Sequence, residues 1–100
     1  MPSHSITPGQ VGAHAVTLTA NTVETFTFAD DLPEVTVVNH DGAAAVYFTI
    51  DGSTPTIAGP RTYVLPAVIG TATFAPPTPG GTVVKAISTG TPTISVQRAR

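Results

Sequence analysis

Three histidines (His4, His14 and His40) and six carboxylates (Glu24, Asp30, Asp31, Glu34, Asp41 and Asp51) supply the acid–base side chains of this 100-residue chain, which has no cysteine. Nucleophilic catalysis needs a serine, cysteine or threonine activated by a neighbouring base. No Gly-x-Ser-x-Gly elbow is present to hold such a serine. His4 and His14 lie in or beside a Pro/Gly-rich N-terminal segment, and His40 falls at a turn, so no triad is expected. Glycoside hydrolysis needs two carboxylates held apart across a bound sugar. All but Glu24 sit at turns or strand ends, where turn formation accounts for them. Asp30, Asp31 and Asp51 would suit the oxygen preference of Ca²⁺, but no compact Asp-x-Asp-x-Asp loop occurs. Gly80-Gly81-Thr82 lacks the lysine and the following helix of a phosphate loop. The reading is therefore non-enzymatic, with no catalytic residue, cofactor or metal.

Binding chemistry is more open. Tyr47 and Tyr63 would form an aromatic platform for a sugar ring, with Asp51 or Asn39 supplying polar contacts. Against this, the chain has no tryptophan and only 6% aromatics, which a small domain needs for packing. Arg98-Ala99-Arg100 reads as a solvated basic tail or as a partner for acidic groups, and exposed ion pairs contribute little.

The elements that would position these residues are strands. In residues 45–56, Val46, Phe48 and Ile50 share one face of a strand by the period-two rule. Asp51-Gly52 stops it, since glycine tolerates positive φ and aspartate bonds its own backbone two residues on. Thr54-Pro55 prevents a helix from following. Upstream, residues 1–13 carry Pro2, Pro8, Gly9 and Gly12 and read as an extended arm. From His14, Val16, Leu18, Phe26 and Phe28 mark two short strands bent at Asn21, or one long kinked strand. Residues 34–40 form the next strand, with Val35 and Val37 together, and His40-Asp41-Gly42-Ala43 reads as a hairpin loop into the strand that follows. Strands over 61–66 (Tyr63, Leu65), 68–75, 82–88 (Val84 and Ala86 opposite Val83, Lys85 and Ile87) and 93–97 (Ile94, Val96 inward) complete the chain. Pro76-Pro77-Thr78-Pro79-Gly80-Gly81 and Thr89-Gly90-Thr91-Pro92 separate the later ones. The expected fold is an all-β, antiparallel, Ig-like β-sandwich of seven or eight short strands over residues 14–100, with an extended N-terminal arm over 1–13.

Composition sets the remaining bounds. One hundred residues make one domain. Charged residues are 10% against 41% hydrophobic, well under the roughly 25% charged of ordinary soluble domains. Such a Thr/Ala surface suits a protein docked on something, and equally a compact Thr-rich β domain that is simply soluble. A net charge of −2 argues against nucleic acid, which requires a basic stripe. No apolar run approaches a membrane span of about 18 residues. The N-terminus has neither the basic nor the apolar region of a secretory signal, so synthesis in a host cytoplasm without export is expected.

Two resemblances bear on function. Tyr47-Phe48-Thr49-Ile50-Asp51-Gly52-Ser53-Thr54-Pro55-Thr56, Tyr63 and Val84-Lys85-Ala86 resemble the small accessory β-sandwich at the C-termini of chitobiase-like glycosidases, a module without catalytic residues. Over nearly its full length, the chain resembles small β proteins encoded among the virion genes of tailed phages of actinobacteria. The residues behind that are Val35 to Gly42, Val46 to Thr56, Tyr63-Val64-Leu65-Pro66 and Gly90 to Val96. This second resemblance implies a virion component, a capsid decoration protein on the outer capsid surface first and a small tail or head-fibre piece otherwise. Its partners would be the major capsid protein and copies of itself in a homo-oligomer, with no nucleic acid or membrane. Ile6, Val11, His14, Arg98 and Arg100 are the candidate capsid or subunit contacts, chosen for their terminal position. The alternative is a carbohydrate-binding or tail-associated adhesion module, with Tyr47, Tyr63 and Asp51 on a surface glycan.

Overall fold

The computed structural model describes residues 3–60, 62–76 and 81–99. Among these the regular structure is all strand, in nine segments. They are β1 (Ser3–Ile6), β2 (Gly12–Thr17), β3 (Glu24–Phe28), β4 (Val35–Asn39), β5 (Val46–Thr49), β6 (Tyr63–Leu65), β7 (Gly70–Phe74), β8 (Thr82–Ile87) and β9 (Thr93–Arg98). One sheet has the order β1-β3-β8-β5-β6 and the other β2-β9-β4-β7. The two pack as a β-sandwich.

Side-chain alternation explains why these residues make these layers. Phe26 and Phe28 of β3, Val46 and Phe48 of β5, and Val84 and Ala86 of β8 point into the sandwich from one sheet. Val35 and Val37 of β4 and Ile94 and Val96 of β9 meet them from the other, all at 0–1% exposure. Val83, Lys85 and Ile87 alternate to the outer side and are only partly covered. This division is the one the sequence pattern of β8 predicts.

Three features depart from expectation. The count is nine strands rather than seven or eight, because Ser3–Ile6 forms a strand within the segment read as an arm. That strand runs parallel to β3, with Ser3 opposite Thr25 and Ile6 opposite Phe28, so the sandwich is antiparallel except at this edge. Ile6 is 3% exposed and belongs to the core. A four-residue strand with a single inward apolar side chain leaves almost no periodic signal. At Asn21 the two-strand expectation holds: with a φ of 58° it lies between β2 and β3, which are in different sheets.

The third departure is at Asp41-Gly42. The turn is present, with Gly42 at a φ of 63°, but it does not close a hairpin. β4 pairs with β7 and β9, whereas β5 pairs with β6 and β8. The loop therefore crosses from one sheet to the other. Asn39 shapes it from inside the core: its side-chain amide donates to the Ala44 and Pro66 carbonyls, and its Oδ1 accepts the Gly42 N–H. A Cβ on Gly42 would stand 2.9 Å from the Val68 Cα, so no side chain fits between this loop and the β6–β7 connection.

Candidate functional site

A cleft of about 580 Å³ opens where β5 runs out beside β6, lined by Thr49, Ile50, Asp51, Pro60, Thr62, Tyr63 and Ala75. Its polar end is the turn after β5. The Asp51 carboxylate accepts from both the hydroxyl and the backbone N–H of Ser53 through Oδ1, at 2.5 and 3.0 Å. These bonds, the Ser53 hydroxyl first, hold the carboxyl below its ordinary value against a smaller opposing effect of burial. Thr49 anchors the same turn by donating its hydroxyl to the Ser53 carbonyl. Asp51 is thus a fixed, ionised acceptor at the cleft mouth.

At the other end Tyr63 lines the cleft, backed by Phe48 and Phe74. Tyr63 pairs with Phe48 across β5 and β6, so both rings point to the inner side of the sheet. Because β6 is an edge strand, Tyr63 stays 44% exposed. Its ring centroid lies 4.4 Å from Phe74 and 5.8 Å from Phe48. Packing against two rings leaves the phenol a firm, half-open wall.

The expected two-tyrosine platform is not assembled. Tyr47 sits opposite Val64 and Ile87, one residue out of phase with Phe48, and so faces the outer side of the sheet. Tyr63 faces the inner side. Asn39, the other polar candidate, is fully buried and committed to the loop above. Of the glycan candidates, Tyr63 and Asp51 share the cleft and Tyr47 does not. Thr49, Ile50, Pro60, Thr62 and Ala75 complete the lining, with Phe74 behind Tyr63. The sequence marks Phe74 as a strand residue but carries no local sign that the edges of β6 and β7 lie side by side.

The terminal candidates also divide. Ile6 is buried and unavailable to a partner. Val11 is 52% exposed, and His14 is exposed on β2. Arg98 is largely spent inside the molecule. Its guanidinium binds the Asp30 carboxylate, donates to the Gln10 and Thr7 carbonyls, and lies 5.7 Å from the Phe28 ring centre. Arg100 lies outside the described residues.

The other acid–base side chains are occupied in a similar way. His4 is 2.6 Å from Glu24 and stacked on Phe26. His40, expected to be a solvated turn residue, is exposed but bonded to the Ser95 hydroxyl. Asp31 accepts the Gly81 N–H. Among the described residues, no cluster of three metal-ligating side chains forms. Comparisons of the chain with protein-family models, with curated proteins and with solved structures return no match.

Proposed function

We propose that this chain is a non-enzymatic virion structural protein of a tailed phage, a capsid decoration protein that docks on the outer face of the major capsid lattice. The observation that supports the reading is the pair of solvent-facing apolar side chains on and just after the edge strand β6. Val64 on β6 and Val68 just beyond it are 54% and 58% exposed. Solvent-facing apolar groups gathered at one place mark a surface that another protein covers. Low charge favours close subunit contact there, and many weak copies on one lattice would bind through avidity. The virion-protein resemblance points the same way. The Ig-like assignment belongs to this proposal and is supported by two face-packed sheets with connections that cross between them.

Imaging the assembled particle by cryo-electron microscopy tests the reading. Density for the sandwich on the head shell, with Val64 and Val68 toward the coat protein, supports it, and Val64→Asp should then abolish loading. Density confined to the tail, or none, overturns it.

A second reading has its own observation: Tyr63 and Asp51 share one open cleft. An aromatic wall beside an ionised acceptor suits a sugar, with the ring taking the apolar face and the carboxylate the hydroxyls. In that case the chain is a carbohydrate-binding or adhesion module, and a glycan array would return a defined set of sugars.

A further inference from the structure

We infer that β7 is a self-pairing edge: two copies of this chain join their second sheets through antiparallel β7–β7 hydrogen bonds. The orientation of the β7 backbone follows from its neighbours. His40 donates to the Thr93 carbonyl and Ala99 to the Glu34 carbonyl. These bonds continue the register in which Thr36 faces Gln97 and Val38 faces Ser95. Residues 34, 36, 38 and 40 therefore spend their backbone groups on β9. Antiparallel pairing alternates, so Val35, Val37 and Asn39 turn theirs to Phe74, Ala72 and Gly70 of β7, their register partners. Thr71 and Thr73 are left with N–H and C=O pointing away from the sheet. Among the described residues, no backbone bond outside the sheet reaches either of them.

An uncovered edge invites another strand, and proteins ordinarily blunt it with charge, proline, a bulge or short length. The other edges here are blunted. β1 has four residues. β2 is broken by a register shift between Ala13 and Val16, with Ala15 at a φ of 54°. β6 has three residues and ends at Pro66. β7 is five residues of Gly, Thr, Ala, Thr and Phe in unbroken register, with no charge and no proline.

The strand is also complementary to itself. With Ala72 on the two-fold axis, Thr71 of each copy faces the second copy's Thr73, and each such pair exchanges both of its open bonds. No like charges meet, which would oppose pairing. Two residues further along, Ile69, 75% exposed, comes opposite the second copy's Ala75. The two-fold axis repeats this apolar cover at the other end of the ribbon. The pairing stands apart from docking on a lattice, since it concerns the free protein and leaves Val64 uncovered on the other sheet.

The test is the mass of the purified chain by light scattering, from micromolar to millimolar concentration. Thr73→Pro removes an outward N–H while sparing the bonds to β4, a position where an edge proline is tolerated. Thr73→Val removes only the hydroxyl that meets Thr36. Wild type and Thr73→Val should be dimers, and Thr73→Pro should show half that mass. A monomeric wild type, or a Thr73→Pro that stays dimeric, overturns the inference. If Thr73→Pro does not fold, amide exchange of the wild type decides. Thr71 and Thr73 amides that slow as concentration rises support the pairing, and amides that exchange freely at millimolar concentration refute it.

Discussion

The Arg98 guanidinium holds the Asp30 carboxylate with both arms, Nη1 to Oδ2 at 2.6 Å and Nη2 to Oδ1 at 3.2 Å. Two-point contact of this kind fixes geometry as well as charge. Through the same side chain, β9 is tied to the turn after β3 and to the Thr7–Gln10 loop.

That grip makes stability depend on acid. The hydrogen bond from Arg98 is the largest of the effects lowering the Asp30 carboxyl below its ordinary value. A carboxylate depressed on folding stabilises fully above its unfolded value, about 4. The contribution fades as pH falls through the lower folded value. Arg98→Ala should therefore be less stable than wild type at neutral pH, with the gap narrowing on acidification to what the carbonyl bonds and the Phe28 contact leave. Urea midpoints across the acid range measure it, and a gap independent of pH would remove the ion pair from the account.

Ile6 should matter more to the fold than to any partner. Ile6→Ala is expected to cost about 2–4 kcal/mol, as for other large-to-small core changes, read from the denaturation midpoint. Removing residues 1–12 would strip β1 from β3 and is expected to destabilise the domain. A lost particle interaction in such a truncation would then say nothing of docking. Val11→Asp and His14→Ala leave the core intact and separate the two effects.

Asn39 bonds three backbone groups from a fully buried position. Asn39→Ala removes these bonds and should cost about 1–3 kcal/mol in all, since water can reach the exposed Pro66 end. Asn39→Asp should be worse, because an acceptor would replace the amide facing the Ala44 and Pro66 carbonyls. Equal unfolding midpoints for the two variants would count against this arrangement.

The two tyrosines lie on opposite sides of one sheet, so the carbohydrate reading predicts unequal losses. Tyr63→Ala should abolish array binding, whereas Tyr47→Ala should leave it unchanged. Equal losses in both would rule out the cleft as the sugar site. Tyr63→Ala should also lose about 0.5–1.5 kcal/mol of ring packing beyond its buried area, visible in thermal unfolding.

Much of the sandwich is legible in alternation. Val46, Phe48 and Ile50, or Val35 and Val37, announce an inner face because period two leaves them no other common side. The same parity places Asn39 beside Val35 and Val37, and places Tyr47 opposite Phe48. Both were readable locally, and both undercut the sugar platform. Partnership is harder to see. Asp41-Gly42 predicts a tight turn at positive φ, and the turn forms, but nothing near it says that β4 seeks β9 while β5 seeks β8. β1 is hidden for the same reason, since its strand character comes from β3, some twenty residues away, rather than from Ser3–Ile6. The cleft shares this limit, because Tyr63 and Phe74 meet only once both sheets are in place.

The central position of β9, between β2 and β4, has a bearing on how the chain reaches its native state. The sheet of β1, β3, β8, β5 and β6 makes all its pairings without β9. The other sheet stays incomplete until β9 arrives, because two of its three strand pairings run through residues 93–98. β4 waits without its β9 partner. Closing pairs as distant in sequence as Gly12 and Gln97 is slow, since loop closure precedes any gain from contact. This geometry predicts a late, cooperative refolding step, and a half-made sandwich that a chaperone or a neighbouring nascent chain would bind first along β4.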